Sequence, residues 1–563
     1  MAVVIILSQV AYIMQKGHLP QAITAWQQSL GKENVDVSAS SLEAAGQATF
    51  STQTSTYAII SPATTAEVQE CVRIANQFKI PLYPISAGKN WGYGSRVAPE
   101  NSVLLSLKRM RRIIEFNKDS AYITVEPGVT FAEVHKFLEE QDSGLIAPSI
   151  GSVPEASLIG NAVERGIGKG QYGDRFQHAC NMEIVLPTGE CINTGFGHFA
   201  KAKSKNTYRW GVGPSLDGLF TQSNFGIVTK MTFWLLPKPG YFQSFFYRLN
   251  NEKQLPGLID ALRTLRLEGT LTTTATISND YRILAMKKQF PFARYSANEV
   301  LPEEYLDEVR RKELGGAMWV GDDAILAATK EIGKARSKRV KELLSPFVDK
   351  IIFFDDKRAG VFSALAAPIR WLTGINIKEL LHFHYNSLYL GIPMFRQVAM
   401  CYFRKAKPAP EKMDLDGDKC GVIWVSPSVP FSGPEVAKTL HLLKLCYAEF
   451  GFEPNIGLNL MSERNIAFTA AIIYDREAPG HDAKAMACYE HMTKSLNAEG
   501  LIPYRLGIQS MKTGIMSDSE DYRQLLTRLK QTIDPNNILA PGRYGIGSIL
   551  FSKTNKMERA IAG

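Results

Sequence analysis

Cysteine is sparse in this chain: seven residues in 563, at positions 71, 180, 191, 401, 420, 446 and 488, none forming a CxxC pair. That spacing offers no disulfide framework and fits a reducing compartment. Histidine is almost as scarce, at nine residues. The one HxH pair, His382 and His384, would share one face of a strand but has no third ligand at metal spacing, so no metal site is expected. Long apolar runs are missing too. The N-terminal AVVIILSQVAYIM is shorter than the roughly 20 residues of a membrane span and lacks the basic region and cleavage site of a signal peptide. It reads as a packed or membrane-brushing end of a cytoplasmic protein. Acidic excess is absent as well: the net charge is +9. The basic clusters, Lys108 to Arg112 and Lys330 to Lys341, fall in strand-end or helix-like contexts where a solvated face explains them, so nucleic-acid binding is not expected.

What is present is an ordinary globular composition, 45% apolar and 10% aromatic, in a chain too long for one hydrophobic core. Ser61 to Ile80 has helical apolar spacing, with Thr64 or Thr65 as cap and Glu67 in the first turn. Short strand-like runs follow (LYPI, VLLSL, IIEFN, YITV), then the amphipathic FAEVHKFLEEQ, which indicates α+β with a mixed sheet. Leu145 to Asp174 is rich in Gly, Ser and Pro without periodicity, and a loop of that length in a compact domain is functional. After the PKPG signal at Pro237 to Gly240 a βαβ rhythm sets in: FQSFFYRL, a helical stretch to Gly269, TLTTTATIS, GVIWVSPSVP, a helix from Gly433 to Phe450, NIAFTAAIIYDRE and a helix from Asp482 to Glu499. This predicts a second sheet covered by helices. A last helix from Ser519 leads into DPNNILAPGR.

Between two strand-like runs lies PISAGKNWGYG, Pro84 to Gly94. Its glycines permit the positive φ and close backbone approach that a phosphate-cradling nest needs, although the string is neither GxGxxG nor a P-loop. The string resembles the pyrophosphate loop of the vanillyl-alcohol oxidase and p-cresol methylhydroxylase family of FAD enzymes. The resemblance continues, in the family's order and over nearly the whole chain, through VEPGVTFAEVHKFL, GNAVERGIGKGQYGDRF, MEIVLPTGECINTG, the run from Trp210 to Pro239, Tyr504 and Arg505, and DPNNILAPGR.

The resemblance implies a two-part FAD-binding domain (residues 1–240 and 501–563) with an inserted α/β cap over the flavin (241–500). It implies FAD contacts from Pro84, Ile85, Ser86, Ala87, Gly88, Lys89, Asn90 and Gly94, from Pro148, Gly160, Asn161, Gly166, Tyr172 and Gly173, and from Gly226 and Ile227. Arg543 matches a basic residue at the flavin's polar edge. Tyr93, Tyr504 and Arg505 match the residues that grip a phenolate oxygen, where two hydroxyls and a guanidinium favour the anion whose electron donation allows hydride to leave the para-carbon. Without the resemblance these three are ordinary packing residues.

The chain departs from the family at the flavin tethers. Ala467 and Phe468 stand where relatives carry a histidine pair, the pyrophosphate loop has no histidine, and Cys401 falls at the position of the p-cresol enzyme's tethering tyrosine. A thioether from Cys401 is a minor alternative to non-covalent FAD, and Tyr402 would point to the opposite face of a strand. The relatives' carboxylate near APS is not evident, with Ser149 or Ser152 in its region. The expected activity is therefore removal of hydride from a para-substituted phenol or related aromatic or natural-product substrate. The electron acceptor would be oxygen or a redox protein, and a homodimer is among the assemblies the resemblance admits. The alternatives are oxidation of a non-phenolic alcohol or biosynthetic intermediate on the same fold, or a non-catalytic scaffold, which would be colourless on purification.

Overall fold

A computed structural model of the chain describes residues 18–355, 377–511 and 514–548. The apolar N-terminal stretch falls outside the described residues. The first sheet has the order Val35–Asp36, Thr56–Ile60, Ser102–Ser106, Leu82–Ile85, with the last three strands parallel. Helix Thr65–Phe78 makes one of the crossovers. Thr64 Oγ1 caps it by accepting the Glu67 N–H at 3.2 Å, and it buries Val68, Cys71, Val72, Ile74 and Ala75 against the sheet. A five-stranded antiparallel sheet follows, in the order Ile113–Asn117, Tyr122–Val125, Ile227–Trp234, Ala179–Val185, Cys191–Asn193. Helix Phe131–Glu140 packs beside it, opened by a capping box of Thr130 and Glu133.

The βαβ rhythm of the middle of the chain resolves into one antiparallel sheet. Its order is Lys350–Phe354, Tyr241–Leu249, Trp319–Ala327, Thr276–Asn279, Asn455–Asn459, Asn465–Asp475, Cys420–Val425. Strand alternation sorts its two faces. Ile277, Ile423 and Val425 join helices Leu255–Leu267, Gly433–Phe450 and His481–Ala498 in the largest core, while Thr276, Ser278, Val422 and Trp424 look the other way, into a cavity.

The C-terminal segment returns to the first sheet. Leu82 N–H donates to the Ile538 carbonyl and Ala540 N–H to the Leu82 carbonyl, both at 2.7 Å. Buried Lys530 ties the return down through Asp534 Oδ2 and the carbonyls of Asn224 and Leu539. Three local expectations change. His382 and His384 sit on a helix, Ile377–Tyr385, not a strand; His382 is exposed and His384 is buried against Ser244 Oγ at 2.8 Å, so they share no face. Cys401 and Tyr402 close a 3-10 helix, Arg396–Tyr402, in place of a strand. The Gly-rich run from Leu145 contains a six-residue helix, Leu158–Val163, capped by Ser157.

Candidate active site

A cavity of about 560 Å³ lies between the first two sheets and the inward face of the third. The loop after strand Leu82–Ile85 forms one wall. It turns through left-handed glycines, Gly88 at φ +68° and Gly92 at φ +76°. At Gly92 only a hydrogen fits, because a Cβ would stand 2.1 Å from Trp424 Cδ1. The backbone N–H groups of Ala87, Gly88, Lys89, Asn90 and Trp91 find no acceptor among the described residues, yet all five residues line the cavity. Consecutive unpaired N–H groups on a glycine turn are a nest for an anion, and exposed backbone donors at a cavity wall require a ligand or water. On the far side Gly160, in helix Leu158–Val163, approaches so closely that a Cβ there would lie 2.2 Å from Ser86 Oγ. These residues fit the pyrophosphate of FAD.

A second wall carries charge. Glu164, almost fully buried just after helix Leu158–Val163, forms an ion pair with Arg543, lies 3.5 Å from Arg505 Nε, and accepts the Tyr544 hydroxyl at 3.0 Å. Gln222 Nε2 braces this group by donating to the carbonyls of Glu164 and Tyr504 at 3.2 and 3.1 Å. Two guanidinium groups against one carboxylate leave a positive wall, the charge that a reduced flavin's polar edge needs. Arg543 Nη1 also donates to Tyr83 Oη at 2.7 Å.

Beside this wall stand Tyr93, Tyr504 and Arg505, and all three line the cavity. The Arg505 guanidinium packs over the Tyr93 ring at 4.5 Å and hydrogen-bonds Asn90 Oδ1. Tyr93 Oη is 2.8 Å from Ser426 Oγ. Burial first and the neighbouring Tyr504 second push the Tyr93 phenol well above its ordinary value, so it stays a neutral donor.

Cys401 also reaches the cavity, but burial pushes its thiol up to about 12 against the opposing pull of Arg282, and a neutral thiol is a poor nucleophile. Tyr402 turns away to Asp418. Of the other expected flavin contacts, Pro84, Ile85, Ser86, Ala87, Gly88, Lys89, Asn90, Gly160, Asn161, Gly226, Ile227 and Arg543 line the cavity. Gly94, Pro148, Gly166, Tyr172 and Gly173 are not among its lining residues. Gly94 lies against Ile508, and Gly166 against the Asn161 side chain. Gly173 makes room for Thr274, and Tyr172 stacks on His178 at 3.7 Å. Ser149 is buried and Ser152 lines the cavity.

The sequence reading passed over several lining residues. Glu164 lies inside the quoted GNAVERG block, but nothing local marks it; its partners are hundreds of residues away. From the cap come Arg282, Trp424, Asn459 and Thr469, and also Asp322 and Tyr389, whose Oδ2 and Oη Lys169 Nζ of the first segment meets at 2.9 and 3.2 Å. Asp322 thus brings a carboxylate to the cavity from a cap strand, not from the APS region.

Comparison with known proteins agrees with this geometry. Residues 56–195 match the FAD binding domain family. The chain is 43% identical to 1'-carboxy-chondrochloren decarboxylase of Chondromyces crocatus, over 93% of this chain and 97% of that protein. It is 28% identical to the 4-cresol dehydrogenase [hydroxylating] flavoprotein subunit of Pseudomonas putida, over 94% and 96% of the two chains. The crystal structure of p-cresol methylhydroxylase with substrate bound superposes with a TM-score of 0.84 at 27% identity, covering 94% of this chain and 97% of that one.

Proposed function

Since the chain belongs to the vanillyl-alcohol oxidase and p-cresol methylhydroxylase family of FAD enzymes, we propose that it oxidises a small aromatic substrate at the side-chain carbon attached para to a phenol oxygen. FAD, when bound, supplies the acceptor for the hydride. The observation that carries this reading is the grouping of Tyr93, Tyr504 and Arg505 on one wall of the FAD cavity. Arg505 supplies charge to a phenolate, and Tyr93, kept neutral by its surroundings, supplies a hydroxyl hydrogen. The phenolate's electron pair moves into the ring as hydride leaves the side-chain carbon attached at the para position, giving a p-quinone methide. Water then adds to it, or a neighbouring carbon loses a proton.

A second fate of the methide is favoured by the 43% identity to a protein named as a decarboxylase of a carboxy compound. If the carbon next to the oxidised one bears a carboxylate, the bond to the carboxyl carbon breaks, its electron pair enters the methide, carbon dioxide leaves, and an alkenyl phenolate remains. Both fates need the same phenolate. Methylating the substrate's phenol oxygen is the test: turnover should be lost. A methyl ether turned over at the rate of the free phenol would retire the phenolate route in favour of simple alcohol or intermediate oxidation.

A further inference from the structure

Arg282 is a buried cation with no carboxylate partner among the described residues, and the phenolate chemistry has no use for it. It sits in helix Asp280–Lys287, is 7% exposed, and lines the cavity. Only one of its terminal nitrogens is occupied: Nη1 donates to Asn455 Oδ1 at 3.1 Å and to the Thr469 carbonyl at 3.2 Å. Nε and Nη2 have no hydrogen-bond partner, and Arg282 forms no ion pair, among the described residues. Arg505 and Arg543, in contrast, are matched by Glu164. Burial lowers the guanidinium to about 10, which leaves it charged at neutral pH. A buried charge without a counter-ion costs several kcal/mol, and a site retains one where a ligand supplies the opposite charge.

The surroundings suit a carboxylate. The Arg282 guanidinium stands 5.7 Å from the Trp424 ring, with Ser278, Asn459 and Thr469 on the same cavity wall. Trp424 lies in strand Cys420–Val425, and Ser426, which is bonded to Tyr93, follows directly after the end of that strand. The phenol grip and the Arg282 guanidinium thus line the same cavity, where one substrate carrying both a phenol and a carboxylate meets both. Resting on the phenol-oxidation reading above, we infer that Arg282 is a specificity-determining residue that binds a carboxylate on the substrate's para side chain. Its planar fork can give that carboxylate two parallel hydrogen bonds from Nε and Nη2, which Lys cannot reproduce.

The test uses the FAD-loaded enzyme and calorimetric binding of three probes: 3-(4-hydroxyphenyl)propanoate, 4-propylphenol, which has no carboxylate, and 3-phenylpropanoate, which has no phenol. The wild type should bind the first at least about 10-fold more tightly than 4-propylphenol, the value of one charge-assisted contact. Arg282→Gln should erase that preference while leaving the 4-propylphenol affinity within about threefold, a split that a merely structural role would not produce. Equal wild-type affinities, or a preference that survives in Arg282→Gln, would overturn the inference. Should Arg282→Gln fail to fold, Arg282→Lys carries the test: loss of the two-pronged contact should cut the preference at least about threefold, and an unchanged preference refutes the inference. Failure of the phenol reading shows differently. In that case 4-propylphenol would not bind, yet 3-phenylpropanoate would, and its binding would still depend on Arg282.

Discussion

Replacing Arg505 by Ala is the sharpest probe of the phenolate site, because the structure bounds what else the change disturbs. The Arg505 guanidinium contacts the Tyr93 ring, Asn90 Oδ1 and Glu164. Removing it does not orphan Glu164, which keeps Arg543 and the Tyr544 hydroxyl, so the fold and the FAD cradle should survive. A hydrogen bond to a charged group contributes about 1.5 to 3 kcal/mol. Loss of one such contact therefore raises the Kd for a 4-alkylphenol about 10- to 100-fold at 1.4 kcal/mol per decade. The assay is titration of the FAD enzyme with the phenol, followed through the flavin or phenolate absorbance, in parallel with its methyl ether. The ether carries no charge at that oxygen, and its Kd should change less than about threefold. Tyr93→Phe and Tyr504→Phe should each cost less than Arg505→Ala, since the other donors remain. The double Tyr variant should cost more than the sum of its parts if the donors act as one network. Equal weakening of phenol and ether, or no weakening of either, would refute the assignment.

Flavin should leave the protein on acid precipitation, and Cys401→Ser should not alter the bound-flavin spectrum, because burial holds that thiol neutral; flavin retained in the pellet would point to a thioether. Gly92→Ala should lower the flavin-to-protein ratio of the purified protein, since it sets a Cβ against the Trp424 ring in a left-handed conformation that costs about 1 to 2 kcal/mol; full flavin content would show that the turn tolerates it. Asp323, fully buried, has its carboxyl raised to about 7 by burial, against hydrogen bonds from Thr273 and the Ala324 N–H that oppose the shift. The native state therefore holds a proton that the unfolded chain gives up near pH 4, so the Tm should fall as pH rises from about 4 through 7. Asp323→Asn should flatten that slope, and a wild-type slope of opposite sign would contradict the assignment.

Much of the architecture was legible because local rules and long-range packing agree. The run from Ser61 to Ile80 announces its cap, its first-turn acid and its apolar stripe, and the helix, Thr65–Phe78, lies within it with Thr64 as its cap. Where the rules compete, local reading fails. His382 and His384 lie in a short mixed run with no decisive period, and their helix is fixed by packing beneath Ser244 and Phe242. The same holds at Cys401. Alignment to a relative found its place at the cavity, but the 3-10 helix that turns Tyr402 toward Asp418 has no signature in AMCYF. Strand pairing was hidden for a different reason. Alternation of strands and helices from Tyr241 onward is compatible with parallel or antiparallel neighbours, and the sheet order is decided by which helix faces the core.

The site divides along the same line. Its phosphate end is written in contiguous sequence, because a nest is made by consecutive N–H groups and the residues that shape it must be neighbours in the chain. Its charged wall is not: Glu164 acquires meaning only when residues 505, 543 and 544 fold onto it, and a lone glutamate among glycines reads as a solvated turn. Arg282 is the extreme case, since in sequence it is one basic residue in DYRILAMK, a helix whose first-turn Asp and final Lys suggest a surface role. Burial without a carboxylate is what changes its meaning. The proposed phenol end of the cavity rests on residues that motif comparison can recover. The opposite end is built by cap side chains that no motif links, and the proposed choice of substrate rests on one of them, Arg282.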